Sequence, residues 1–202
     1  TIKVDNVYQH SRYDPIKEAK RIVEVLLNDL NDIDVIILFG NGLGYILREI
    51  YDIAIKKSSK KIKPYIIYIE KDLKIFFSAL SVYDYTNILQ DENVKFFLDA
   101  EKELIGSFIQ SIPTKRTRYY YHRPSFLLNE EYYKELQNYL NYVLDRKDMN
   151  SATLKRFQKL WSKNFISNLP YFVNSNSIAN LKDIAKGTTA IVVAGGPNLE
   201  RS

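Results

Sequence analysis

The sequence predicts an α/β fold with a Rossmann-like parallel sheet, and three observations carry that expectation. Val35 to Phe39 is an unbroken apolar run, too short for a helix and rich in residues that suit a pleated, buried strand. Gly40, Gly42 and Gly44 follow at once, and Tyr45, Ile46, Leu47, Ile50 and Ile53 then recur at helical spacing, so the glycines occupy a strand-to-helix turn. Two further apolar runs, Tyr65 to Ile69 and Val94 to Leu98, return with a helical stretch between them. The order strand, helix, strand, helix, strand implies parallel pairing.

Taken in order, Ile2, Val4 and Val7 suit a short strand. Asp14 caps a helix that has Pro15 at its first position and Ala19, Ile22, Val23, Leu26, Leu27 and Leu30 as its apolar stripe; Asn31 and Asp32 end it. After the glycine turn and its helix, the lysine-rich segment Lys56 to Pro64 reads as a solvated connection. Glu70 stands at the carboxyl end of the second strand, Asp72 caps the next helix, and Leu73, Phe76, Phe77 and Leu80 are expected to face the core. Between Pro113 and Pro124, the cations Lys115, Arg116, Arg118 and Arg123 are interleaved with the aromatics Tyr119, Tyr120, Tyr121 and His122, which suits either an ordinary strand and loop or a grip on a phosphate or base.

Asn129 opens a helix running to about Asp145, and Asn150 opens another with Leu154, Phe157, Leu160, Trp161, Phe165 and Leu169 as its stripe. The two are expected to form a helical hairpin. Leu181, Ile184 and Ala185 end a short helix that Gly187 stops, and Thr189 to Ala194 read as the first strand of a second α/β domain leading into Gly195-Gly196-Pro197-Asn198. The expected organisation is a Rossmann-like domain over 1–125, a helical hairpin over 126–186 and the start of a truncated domain over 187–202. The chain is therefore expected to be a piece of something longer.

Composition narrows the chemistry. There is no cysteine, and His10 and His122 are the only histidines, so a disulfide, a thiolate nucleophile or a Cys/His zinc site is not expected. No apolar run approaches the length of a bilayer span, and the first residues lack the layout of a signal peptide, which suits a cytoplasmic protein with no membrane insertion. A net charge of +5 is modest and calls for no nucleic-acid partner.

The candidate ligand site is the glycine turn. Without side chains, Gly40, Gly42 and Gly44 let a phosphate or ribose approach backbone N–H groups at a helix start, and Glu70 is placed to accept hydrogen bonds from a ribose diol. The Gly-x-Gly-x-Gly spacing looks like the turn of S-adenosylmethionine-dependent methyltransferases. The competing reading is structural: the glycines allow a tight turn, and side chains such as Tyr45 occlude it.

Several pieces, in order along nearly the whole chain, resemble the motility accessory factor (Maf) family of flagellin glycosyltransferases. They are His10-Ser11-Arg12-Tyr13-Asp14-Pro15 with Glu18-Ala19, Gly40-Asn41-Gly42-Leu43-Gly44-Tyr45, Ile69-Glu70-Lys71-Asp72, Asn150 with Thr153, Phe157, Trp161, Asn164 and Asn168, and Ala194 to Leu199. Asn198 stands where the family has serine in Gly-Pro-Ser-Leu. The family's central domain also resembles the archaeal pterin pyrophosphokinase MptE, which makes a pterin pyrophosphokinase an alternative beside a methyltransferase-like enzyme. The resemblance implies transfer of a nonulosonic acid from its CMP-activated donor to serine or threonine of flagellin in the cytoplasm, with flagellin and a nucleotide-sugar as partners. It implies donor binding at Gly195, Gly196, Pro197 and Asn198. No catalytic base and no metal ligand is identified, so this stretch alone is expected to be inactive and to serve as an acceptor-binding or scaffold domain.

Overall fold

The computed structural model describes residues 2–28, 33–57, 62–175, 177–189 and 191. They divide into two compact units, Thr1–Ala152 and Thr153–Ser202.

In the first unit, β3 (Val35–Phe39) is buried at every position. It lies parallel between β4 (Tyr65–Glu70) and β6 (Thr117–Tyr121), with Ile37 opposite both Ile67 and Tyr119, and β4 pairs in turn with β5 (Val94–Leu98). The strand order is β5-β4-β3-β6. From β3 the chain builds outward through β4 and β5, then returns to add β6 on the opposite side. The carboxyl ends of β3 and β6 therefore flank the point where the winding reverses, the usual place for a ligand crevice in an open α/β sheet.

Strand alternation sends successive side chains to opposite faces. Ile36, Leu38, Ile66 and Tyr68 pack with Ala19 and Val23 of α1 (Pro15–Leu26), Leu47 and Ile50 of α2 (Tyr45–Tyr51), and Phe76 and Ala79 of α3 (Leu73–Leu80). Val35, Ile37, Phe39, Ile67 and Ile69 pack with Ile105 and Ile109 of α5 (Lys102–Ser111) and with Tyr133, Leu136, Leu140 and Val143 of α7 (Glu130–Asn174). Helices on both faces explain why β3 is apolar throughout and β4 up to Ile69.

The Asp14 carboxylate caps α1 by accepting from the Lys17 N–H at 2.8 Å, with Pro15 in the first turn, as the sequence leads one to expect. Elsewhere local details differ. The first residues form a hairpin of β1 (Lys3–Val4) and β2 (Val7–Tyr8) rather than one strand. Asp5 and Asn6 take positive φ of 43° and 65° there, a conformation these two residue types tolerate well. In α3 the buried face is Ile75, Phe76 and Ala79, while Leu73 and Phe77 are exposed. Two short helices were not anticipated, α4 (Thr86–Gln90) and α6 (Arg123–Leu128), the latter with Pro124 in its first turn.

The expected helical hairpin is corrected: α7 runs unbroken for 45 residues. Asn150 reads as a cap only if the chain leaves the helix before it, and Asp145-Arg146-Lys147-Asp148-Met149 contains neither glycine nor proline to make it leave. Lys147 instead donates from its ammonium to the Ile109 carbonyl at 2.9 Å and to that of Ile112, satisfying carbonyls at the end of α5.

In the second unit, residues 153–174 continue in helical conformation and a short 3-10 turn follows at Ile178–Leu181, capped by Ser177, whose hydroxyl accepts from the Ala179 N–H. Gly187 ends this region with φ 87°. Leu154, Leu160, Trp161, Phe165, Leu169 and Phe172 are all exposed. The strand expected over Thr189–Ala194 lies outside the described residues apart from Thr189 and Ile191.

Candidate functional site

The glycine turn lies at the reversal point and its backbone requires glycine. Gly40, Gly42 and Gly44 have φ of 72°, 54° and 90°. The space that missing side chains leave is filled by the protein itself. A Cβ at Gly42 would lie 2.5 Å from His10 Nε2 and 2.7 Å from His122 Cε1, one at Gly40 would lie 2.4 Å from Ser125 Cβ, and one at Gly44 would run into the Tyr85 hydroxyl.

The donors of the turn are likewise used internally. The Leu43 N–H donates to His10 Nε2 at 2.8 Å, the Leu47 N–H to Asn41 Oδ1 at 3.1 Å, and the Gly44 N–H to the Asn41 carbonyl at 3.0 Å. A phosphate bound at a helix start uses donors of this kind, and here an imidazole and a carboxamide take them.

Glu70 is fully buried. Its carboxylate accepts from the hydroxyls of Tyr133 at 3.1 Å and Tyr68 at 3.2 Å and from the Asp72 N–H at 3.2 Å. Burial raises its pKa, and these hydrogen bonds, with one from the Asn41 backbone, pull the other way. The Tyr133 hydroxyl also accepts from the Lys71 N–H at 3.2 Å, so one tyrosine of α7 ties together the residues that end β4. Glu70 thus holds the glycine turn to the neighbouring strand end, where the sequence suggested an acid open to a ribose.

The two histidines form the other wall. His122 Nε2 lies 2.8 Å from the Gln9 carbonyl; a carbonyl only accepts, so this nitrogen carries the proton. His122 Nδ1 then accepts from the Ser125 hydroxyl at 2.8 Å. His10 Nε2 accepts from Leu43, which leaves its proton on Nδ1, 4.0 Å from a Glu18 carboxylate oxygen. The rings sit 4.9 Å apart. Burial lowers the His10 pKa to about 3, with a further push from His122, and burial lowers that of His122 to about 4. Both are neutral at pH 7. The Ser125–His122 pair has the hydrogen bond of an activated nucleophile, yet Ser125 is fully buried and the ring caps α6, which is a structural role.

Gly40, Gly42, Gly44 and Glu70 are therefore brought together, while Gly195, Gly196, Pro197 and Asn198 lie outside the described residues. Sequence reasoning had His10 only as part of a resemblance piece and assigned no site role to His122, Ser125, Tyr85 or Tyr133. One signal was available for His122: it directly follows an apolar-aromatic strand, as Gly40 does, and residues leaving the carboxyl ends of adjacent parallel strands are neighbours. Among the described residues, no group of three or more His, Cys, Asp or Glu side chains is placed to hold a metal ion. No described helix is long and apolar enough to cross a membrane.

No family model matches the chain, and no solved structure matches it. It is 25% identical over 203 residues to an uncharacterized protein of Treponema pallidum (strain Nichols), a similarity that covers 100% of this chain and 67% of that protein.

Proposed function

We propose that the chain is the amino-terminal accessory region of a cytoplasmic protein O-glycosyltransferase that modifies flagellin, the transfer using a CMP-activated nonulosonic acid. One observation carries this reading. Pieces that bear the Maf resemblance and lie far apart in sequence meet at one point: His10 of the first accepts from Leu43 of the second, and Glu70 of the third receives a hydrogen bond from the Asn41 backbone. They form a closed knot at the carboxyl end of the sheet, so their work is to fix the fold of a scaffold. The acceptor-binding and scaffold role then falls to the surface, including the exposed side of residues 153–174 with Trp161, Phe165, Asn164 and Asn168. The donor is assigned to the segment Gly195, Gly196, Pro197 and Asn198, in which the backbone N–H groups of Gly195, Gly196 and Asn198 suit a nucleotide phosphate.

The test is genetic and chemical. Disrupting the gene is expected to leave flagellin at its unmodified mass, measured by intact-protein mass spectrometry, and to abolish motility. Flagellin that keeps its full glycan mass in the disrupted strain overturns the reading.

A further inference from the structure

The two edges of the parallel sheet are finished differently. In the order β5-β4-β3-β6, one side of β5 and one side of β6 carry no strand. At β5, α4 packs against the strand, and the Val94 N–H, which faces away from β4, donates to the Asp91 carbonyl at 3.0 Å. A helix beside an edge is one of the ways a sheet is kept from pairing with another chain. Among the described residues, the element packed closely along β6 is β3.

The ladder shows which groups the outer side of β6 offers. The Val35 N–H donates to the Arg116 carbonyl at 3.3 Å and the His122 N–H to the Phe39 carbonyl at 2.9 Å, so Arg116, Arg118, Tyr120 and His122 are the residues whose backbone groups turn to β3. Thr117, Tyr119 and Tyr121 turn theirs outward, about 7 Å apart along the strand. No hydrogen bond among the described residues uses these N–H and C=O groups. A complement that meets one donor and one acceptor at alternate residues is itself an extended chain.

Charge selects among extended chains. From Ser111 to Asn129 the sequence has no acid, and Lys115, Arg116, Arg118 and Arg123 are exposed. Lys115, Arg118 and Arg123 have no ion pair among the described residues. The acids that face the strand come from other elements: Asp34 accepts from the Arg116 N–H at 3.0 Å, Glu18 lies near Tyr120 and Asp145 near Tyr119. A second copy paired antiparallel about Tyr119 would set Lys115 opposite Arg123 at both ends, and like charges directly opposite destabilise a sheet. Alternation places Arg118 with Tyr120 on the α1 face, while Tyr119 and Tyr121 stack on Phe39 on the α7 face. A strand with acids on one face and β-branched residues on the other matches both.

We propose that the outer edge of β6 binds an extended acidic segment of a partner protein as an additional strand, its carboxylates on the Arg118 face. This holds whether or not the chain serves a transferase. The experiment is fluorescence anisotropy of the 202-residue chain with a labelled nine-residue peptide that alternates threonine and glutamate. Saturable binding is expected, weakened about tenfold or more by Arg118→Glu and weakened also by raised salt. Arg118 is exposed and unpaired, so its variant keeps the fold. Two further peptides, N-methylated at the threonines or at the glutamates, keep the charge and each lose the donors of one edge. One of the two is expected to bind about tenfold or more weakly than the parent, because strand pairing uses one edge of the peptide. No saturable binding, equal affinity in Arg118→Glu, or both methylated peptides binding like the parent each overturns the proposal. So does tighter binding of a ten-nucleotide oligothymidylate, which assigns the cations to nucleic acid, or a dimer in sedimentation equilibrium that takes up no peptide, which assigns the edge to a second copy.

Discussion

The amino-terminal and carboxyl-terminal portions of α7 carry the same kind of apolar pattern and meet opposite fates. In the first unit Tyr133, Leu136, Leu140 and Val143 recur at helical spacing and are almost fully buried against the sheet. In the second, Leu154, Trp161, Phe165, Leu169 and Phe172 recur at the same spacing and are exposed. Cations at Lys155, Arg156, Lys159 and Lys163 occupy the other side of the second stripe, and no acid falls between Ser151 and Asn174. The difference teaches that periodicity specifies which residues belong on one face, and only a partner surface decides whether that face is buried. Burial is thus the property to be probed, and the predictions contrast the two units in order of falling effect.

The largest effect is expected from acid. His10 and His122 have folded pKa values lowered to about 3 and about 4 from an ordinary 6.5. The unfolded chain therefore binds more protons than the folded one below pH 6.5. Stability is full above that pH and falls as pH drops towards 4, by about 1.4 kcal/mol per pH unit for each histidine. Glu70 acts in the opposite sense: its raised pKa adds stability that is complete below 4.5 and lost as pH rises through the folded value. Two histidines outweigh one carboxyl, so denaturant midpoints are expected to fall between pH 7 and pH 4. His122→Asn is expected to reduce that slope by roughly half. A flat profile would mean the imidazoles are solvated and the first unit is not closed at all.

Next come the core positions. Leu140→Ala removes a fully buried side chain between α7 and the sheet and is expected to cost about 2–5 kcal/mol in urea denaturation. Gly42→Ala comes slightly below, at roughly 2–4 kcal/mol, since it combines a left-handed backbone with a collision against two histidine rings. Gly187→Ala sharpens the contrast: φ is 87° there too, but nothing lies within 4 Å of the added carbon, so only the backbone cost of about 1 kcal/mol remains. Tyr133→Phe removes a hydroxyl that joins Glu70 and the Lys71 N–H, and the loss expected is about 1–3 kcal/mol.

These contrasts also mark what the chain made legible. The Val35–Phe39 strand, the glycine turn and the parallel neighbours at Tyr65 and Val94 were readable because each rests on local composition and short-range period. The uninterrupted α7 was not, because Asn150 looks the same as a cap and as an interior residue until the path of the preceding chain is known. The closing of the glycine turn was hidden for a different reason. His10, Gly42 and His122 are separated by most of the first unit in sequence, and their meeting depends on β6 returning beside β3. A turn whose N–H groups suit a phosphate oxygen is equally suited to an imidazole nitrogen, since both accept the same hydrogen bond. Glu70 shows the same ambiguity, since an acid at a strand end accepts hydrogen bonds from a ribose or from two tyrosines with equal chemistry.

The smallest effect expected on stability falls on the stripe of the second unit, and it separates folding from function. Trp161 is 49% exposed and Phe165 61% exposed. Trp161→Ala and Phe165→Ala are therefore expected to shift the unfolding free energy of the 202-residue chain by no more than about 0.5 kcal/mol, as surface positions do. If, on the proposed reading, further chain of a transferase covers the stripe, the same substitutions cost several-fold more in that longer protein, because there the rings would be core residues. Measuring both substitutions in both contexts by urea denaturation gives two readings of one side chain. Equal, small effects in both would leave the exposed side of residues 153–174 without a covering partner and remove the scaffold role proposed for it.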